Sequence, residues 1–183
     1  MEKNSIGLIE LTSIASGMLA ADIMLKTSAV ELILSRTICS GKYMVLIGGD
    51  VAAVQAAVDS AVHTIDTAVI DHFVIPNVHP SLFPALSGHT RIDALEALGI
   101  LEAFSVASLI EGADAAVKAA NVELIEVRLA MALGGKAFCT LTGEVAAVTS
   151  AVEAGARIIA EKGLLVNKVV IPAPRQELLS EMI

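Results

Sequence analysis

An α+β chain built from two copies of one β-α-β-β-α-β unit is what this sequence predicts, on three observations. The first is internal repetition. Ile6–Leu34 matches Leu98–Glu126 at an offset of 92 with 12 identities in 29 positions, and Gly41–Val58 matches Gly135–Val152 at an offset of 94 with nine in 18. The second is the alternation, inside each copy, of short apolar β-branched runs with Ala-rich segments of helical period. The third is composition: 55% hydrophobic and 17% charged over 183 residues is too apolar for a disordered chain. A period this long is a duplicated domain and not a solenoid repeat.

Ile6–Leu11 reads as the first strand. Ser13 is placed to cap a helix over Ile14–Thr27, because its hydroxyl can accept one of the orphan amides of the first turn. Val30–Ile38 and Tyr43–Ile47 are strands joined through Thr37-Ile38-Cys39-Ser40-Gly41-Lys42, where Gly41 permits a tight turn. Gly48-Gly49-Asp50 lacks phosphate-loop spacing, and Asp50 would repel a phosphate. It reads as a turn plus the cap of a helix over Val51–Asp66. Ala68–Ile75 is the fourth strand, ended by Pro76, and Pro80–Leu86 a short last helix, since Pro suits a first helical turn. The second copy repeats the order from Leu98 to about Met182. The turn-rich joint Gly88–Ala97 separates a domain 1–90 from a domain 91–183. The order is that of the ferredoxin-like split βαβ fold.

Composition also excludes partners. Net charge is −8 and no basic cluster or aromatic platform is present, which argues against nucleic acid. Mean hydropathy is +0.75. Yet the longest stretch free of Asp, Glu, Lys and Arg, His72–Thr90, holds three prolines and three histidines and cannot span a membrane. The apolar excess points to subunit interfaces. Met1-Glu2-Lys3-Asn4 has no secretory pattern, so a cytoplasmic protein with reduced thiols is expected.

Few residues carry candidate chemistry. Cys39 sits in the first-copy turn; the second-copy turn, Leu129–Lys136, is two residues longer and has Met131 in place of a cysteine. Read alone, Cys39 is a small hydrophobe or an idle thiol. Cys139 lies mid-strand beside Phe138 and reads as core. His63, His72, His79 and His89 show no metal-site spacing, and no Ser/His/Asp set is present. Glu10 and Glu102 recur within strands and read as capping or interfacial groups. Asp22 and Lys26, repeated as Asp114 and Lys118, are spaced for an ion pair on a helix face.

Ile6-Gly7-Leu8-Ile9-Glu10-Leu11, Asp22-x-x-x-Lys26, Gly41-Lys42, Gly48-Gly49-Asp50-Val51 and Val74-Ile75-Pro76, nearly all found twice, resemble the bacterial microcompartment shell proteins. Two fused copies resemble the tandem class, and Leu11–Ala15, Thr37–Lys42 and Glu161–Val166 resemble its members from propanediol-utilisation compartments. The resemblance implies a non-enzymatic shell tile, a homotrimer imitating a hexamer and tiling with other shell proteins. It also implies a [4Fe–4S] cluster shared by three subunits on the three-fold axis, held by Cys39 with Ser40 and Gly41 beside it, and a role with encapsulated redox enzymes. Lys26, Lys118 and Asn77 fall at shell-edge positions; the family's Arg after Ile-Pro is replaced by Asn77 and Ala173. A metal-free metabolite pore at the same turn, or an enzyme on a duplicated ferredoxin-like scaffold, are the other readings.

Overall fold

The computed structural model describes residues 4–88, 90–92, 94–130 and 133–178. Contacts divide the chain into two units, Met1–Val78 and His79–Ile183.

In the first unit β1 (Ser5–Leu11), β2 (Val30–Ile38), β3 (Lys42–Gly49) and β4 (Val69–Pro76) form one antiparallel sheet in the order β2-β3-β1-β4. Helices α1 (Ile14–Thr27) and α2 (Val51–Ile65) lie between its strands in sequence. Ser13 caps α1 by accepting from the Ser16 amide, and Asp50 caps α2 by accepting from Ala52 and Ala53. Helix α2 stops at Ile65, one residue short of the sequence expectation, because Asp66 takes φ +36° and opens a 3₁₀ turn, Asp66–Ala68. The side chains of Ile9, Leu11, Val45 and Ile47 make a core with Met24, Val54 and Val58 of the helices. Alternate strand positions Ile6, Leu8, Met44 and Leu46 are fully buried as well, so β1 and β3 are apolar on both faces, as the unbroken hydrophobic run Ile6–Ile9 requires.

The second unit begins with the short helix α3 (Leu82–Ser87), two residues later than Pro80 suggested, because Leu82 and Phe83 first close a turn onto the His79 and Pro80 carbonyls. Its C-cap is Gly88 in left-handed backbone, φ 67°. Helix α3 packs on the strand Glu123–Leu129 of the same unit. Strands β5 (Ala97–Ala103), β6 (Glu123–Leu129), β7 (Ala137–Gly143) and β8 (Leu165–Ile171) follow the same antiparallel order, β6-β7-β5-β8, with α4 (Val106–Ala119) and α5 (Val145–Glu161). Ser105 caps α4 through the Ser108 amide, the counterpart of Ser13.

The two units share irregularities as well as elements. Register shifts fall at Glu10/Leu11 and Leu32/Leu34 in one, and at Glu102/Ala103 and Leu124/Glu126 in the other. Gly7 in β1 lets α2 close on the strand: a Cβ there would lie 2.7 Å from Val54 and 2.6 Å from Val58. Gly99 repeats this, with Val148 at 2.9 Å and Val152 at 2.7 Å. Neither site has room for a methyl group. Gly7→Ala and Gly99→Ala are each expected to destabilise by about 1–3 kcal/mol through overpacking, read as a lower urea midpoint. An unchanged midpoint for both would show that the helices can move away at no cost.

Candidate functional site

The turn singled out from sequence is the tip of the β2–β3 hairpin. Ile38 pairs with Lys42, and Cys39, Ser40 and Gly41 make the three-residue connection. Ser40 (φ 66°) and Gly41 (φ 74°) both adopt left-handed backbone. Gly41 does so without a Cβ penalty, whereas Ser40 accepts a strained conformation. Ser40 and Gly41 are exposed and Cys39 is half-buried, in no disulfide. A Cβ built on Gly41 meets nothing within 4 Å, so the space around the tip is open.

An ion pair stands directly behind this tip. Lys42 Nζ donates to Glu10 Oε1 at 2.8 Å, and Glu10 is buried. Glu10 sits opposite Met44, two residues along from Lys42, so the pair runs diagonally across β1 and β3. The Ser35 and Tyr43 hydroxyls join β2 to β3 at 2.9 Å just below. The second unit repeats the pair as Lys136 to Glu102 at 2.5 Å. The repeat singles out both carboxylates; strand register supplies their cations. The signal was present, since Glu10/Glu102 and Lys42/Lys136 recur together.

The second connection is longer in sequence. Residues 130–136 connect β6 to β7, with Ala130 at φ 44°, Gly134 at 62° and Gly135 at 87°. Met131, the residue in the cysteine's place, lies outside the described residues. Cys139 is fully buried between Leu101 and Val127 of the neighbouring strands. Burial pushes its thiol up to about 12, so it stays protonated and inert at neutral pH.

Lys26 pairs with Asp22 at 2.6 Å on an exposed helix face. Lys118 pairs with Asp114 at 2.5 Å, but Asp114 is buried and also accepts the His79 amide at 2.8 Å. Asn77 follows β4 in left-handed backbone, φ 53°, and is exposed; Ala173 does the same after β8 at 47°.

As for the implied cluster, each chain offers one accessible thiol. Among the described residues no three His, Cys, Asp or Glu side chains gather to hold a metal ion. The donor set therefore suits a cluster only where several chains bring their Cys39 tips together, and the open, protruding turn permits that approach. Among the described residues no helix is long and apolar enough to cross a membrane.

Comparison with known proteins bears on both copies. The BMC domain family matches residues 5–78 and again 97–174. The bacterial microcompartment shell protein PduT of Citrobacter freundii is 45% identical over 179 residues, covering 98% of this chain and 97% of that protein. The bacterial microcompartment shell protein EutM of Escherichia coli (strain K12) is 42% identical over 84 residues, which is 46% of this chain and 84% of that protein. A crystal structure of a microcompartment protein from Desulfitobacterium hafniense DCB superposes with a TM-score of 0.89 at 50% identity, covering 96% of this chain and 98% of that one.

The two thiols should separate chemically. In metal-free protein at pH 8, Ellman's reagent is expected to titrate one thiol per chain, abolished by Cys39→Ser, with the second released only by denaturant; two fast thiols in the folded protein would contradict the burial of Cys139. Lys42→Met takes the cation from a buried carboxylate and is expected to cost about 2 kcal/mol, measured by denaturant titration. An effect below about 0.5 kcal/mol, the ordinary surface range, would place that pair in solvent instead.

Proposed function

The chain belongs to the BMC domain family, in two tandem copies, and from that premise we propose that it is a trimeric, pseudohexagonal shell tile of a bacterial microcompartment with Cys39 at its axis. PduT and EutM are shell proteins, structural and not catalytic, and the structural reading extends to this chain.

One observation carries the oligomer. The outer face of α1 presents Ile14, Met18 and Leu25 to solvent, Met18 at 59% exposure. The corresponding face of α4, with Val106, Ile110 and Val117, is buried, Ile110 at 0%. Two copies of one surface are thus treated oppositely within one chain. Apolar side chains of this size on a single helix face mark an interaction site. A head-to-tail ring of identical chains covers each α1 as α4 is already covered, and three two-copy chains make six equivalent positions.

Three-fold symmetry then presents Cys39 three times around one axis. Three thiolates can ligate three irons of a [4Fe–4S] cluster, with the Ser40 hydroxyl available as a hydrogen-bond donor and Gly41 holding the turn open. Held by the three Cys39 thiolates, such a cluster would supply one-electron chemistry, for which encapsulated redox enzymes would be the natural partners. Lys26, Lys118 and Asn77 are assigned to contacts between tiles. In the single chain the Asp22–Lys26 pair is exposed while Lys118 is restrained by buried Asp114.

Anaerobic purification followed by iron and sulfide analysis tests this reading. The expected result is about four irons and four sulfides per three chains, lost in Cys39→Ser while sedimentation still reports a trimer. A colourless trimer that takes up no iron on anaerobic reconstitution would leave the tile with a metal-free pore; a monomer would overturn the tile itself.

A further inference from the structure

The residues after β4 and after β8 form the same turn in two settings. Asn77 and Ala173 both take left-handed backbone. Five residues on, the Leu82 amide donates to the His79 carbonyl at 3.0 Å, and the Leu178 amide to the Arg175 carbonyl at 3.1 Å. The spacing between the two is the 96 residues that also separate Val74-Ile75-Pro76 from Val170-Ile171-Pro172. Yet Leu82 is fully buried, on a helix packed against β6, whereas Leu178 is 41% exposed. The Gln176 side chain donates to the Leu95 carbonyl at 3.0 Å, which ties the second turn to its own unit and presents it in fixed form.

The surface that receives the first turn is duplicated too. In the second copy the His79 amide donates to Asp114, whose other carboxylate oxygen holds Lys118. Asp114 is buried, and so is Leu124 on β6. Their counterparts Asp22 and Leu32 have the same Lys partner and the same place on the edge strand. Both are exposed, Leu32 at 44%. A preformed turn with its leucine in water thus matches a preformed receptor with its carboxylate and leucine in water, and the chain itself contains the joined form.

We propose that the turn Ala173–Leu178 of one chain docks on the first-copy α1 and β2 of a second copy of this chain. The Arg175 amide donates to the Asp22 carboxylate, and Leu178 covers the edge strand beside Leu32. The contact is heterologous, so it joins chains head to tail, and it makes a ring where the rotation closes after three chains, as in the tile proposed above. It rests on the ring reading above and specifies which segment makes the joint. The turn is already ordered before it docks, so little conformational entropy opposes the contact.

Two measurements test it. With Leu178→benzoylphenylalanine, irradiation is expected to link one chain to another, with the product mapping by mass spectrometry to peptides of residues 22–37. Asp22→Ala is expected to weaken chain association about tenfold or more, as loss of a charge-assisted hydrogen bond should. Asp22→Asn, which keeps an acceptor, should lose less, and Asp59→Ala on exposed α2 should lose nothing. Links confined to one chain or mapping elsewhere, or an Asp22→Ala protein that associates like the parent, overturn the docking while a sedimenting trimer leaves the ring standing. A parent protein that sediments as a monomer overturns the ring, and the docking with it.

Discussion

Helix against strand at a glycine is the contact on which both units depend. At Gly7 and Gly99 the second helix of each unit approaches its central strand too closely for any side chain. The valines that use the space, Val54 and Val58 in one unit and Val148 and Val152 in the other, are equivalent by sequence. That approach sets the separation of the helical layer from the sheet. It lets a core made mainly of Ala, Val, Leu and Ile, with Tyr43 its large ring in the first unit, reach close packing. Small residues on the helices follow from the same constraint: Ala20, Ala57 and Ala61 are all buried where larger side chains would hold the layers apart.

Two copies of a domain in one chain make an internal control. The capping serines, bulges, ion pairs and strand glycines are the same in both, so differences between them are meaningful. The largest is burial: the outer face of α4 is covered and that of α1 is not. Each half-exposed side chain on α1 still leaves apolar area in water at about 25 cal/mol per Å². Across Ile14, Met18 and Leu25 the incentive to associate is therefore substantial. The excess hydrophobicity of the composition finds part of its explanation here.

The Cys39 tip shows how a minimal site is built from a hairpin. Two consecutive positive-φ residues narrow the connection to three. The Lys42–Glu10 pair fastens its base to the central strand. The second copy keeps the ion pair, but its connection is longer and has no cysteine, so one copy in two carries the thiol. A hexamer of single domains would present six such groups, whereas three double chains present three. In the proposed three-chain tile, divergence of one turn after duplication would let symmetry set the number of thiols at the axis.

Much was already written in the residue order. The repeat, the strand and helix order, the Ser13 and Asp50 caps and the place of the Cys39 turn follow from local chemistry: period, capping hydroxyls and carboxylates, and glycine backbone freedom act over a few residues and leave a mark in any window. Three things required the folded chain. Lys42 finds Glu10 only because β1 and β3 are neighbours in register, a separation of 32 residues that no local pattern records. Helix α2 ends at Ile65 because Asp66 adopts a backbone angle its sequence neighbours do not demand. And α1 and α4, alike in their Asp-to-Lys pairs and Ser caps, differ in what covers them. Burial belongs to the packed whole, so two segments of similar sequence can carry the same helix and still meet opposite surroundings.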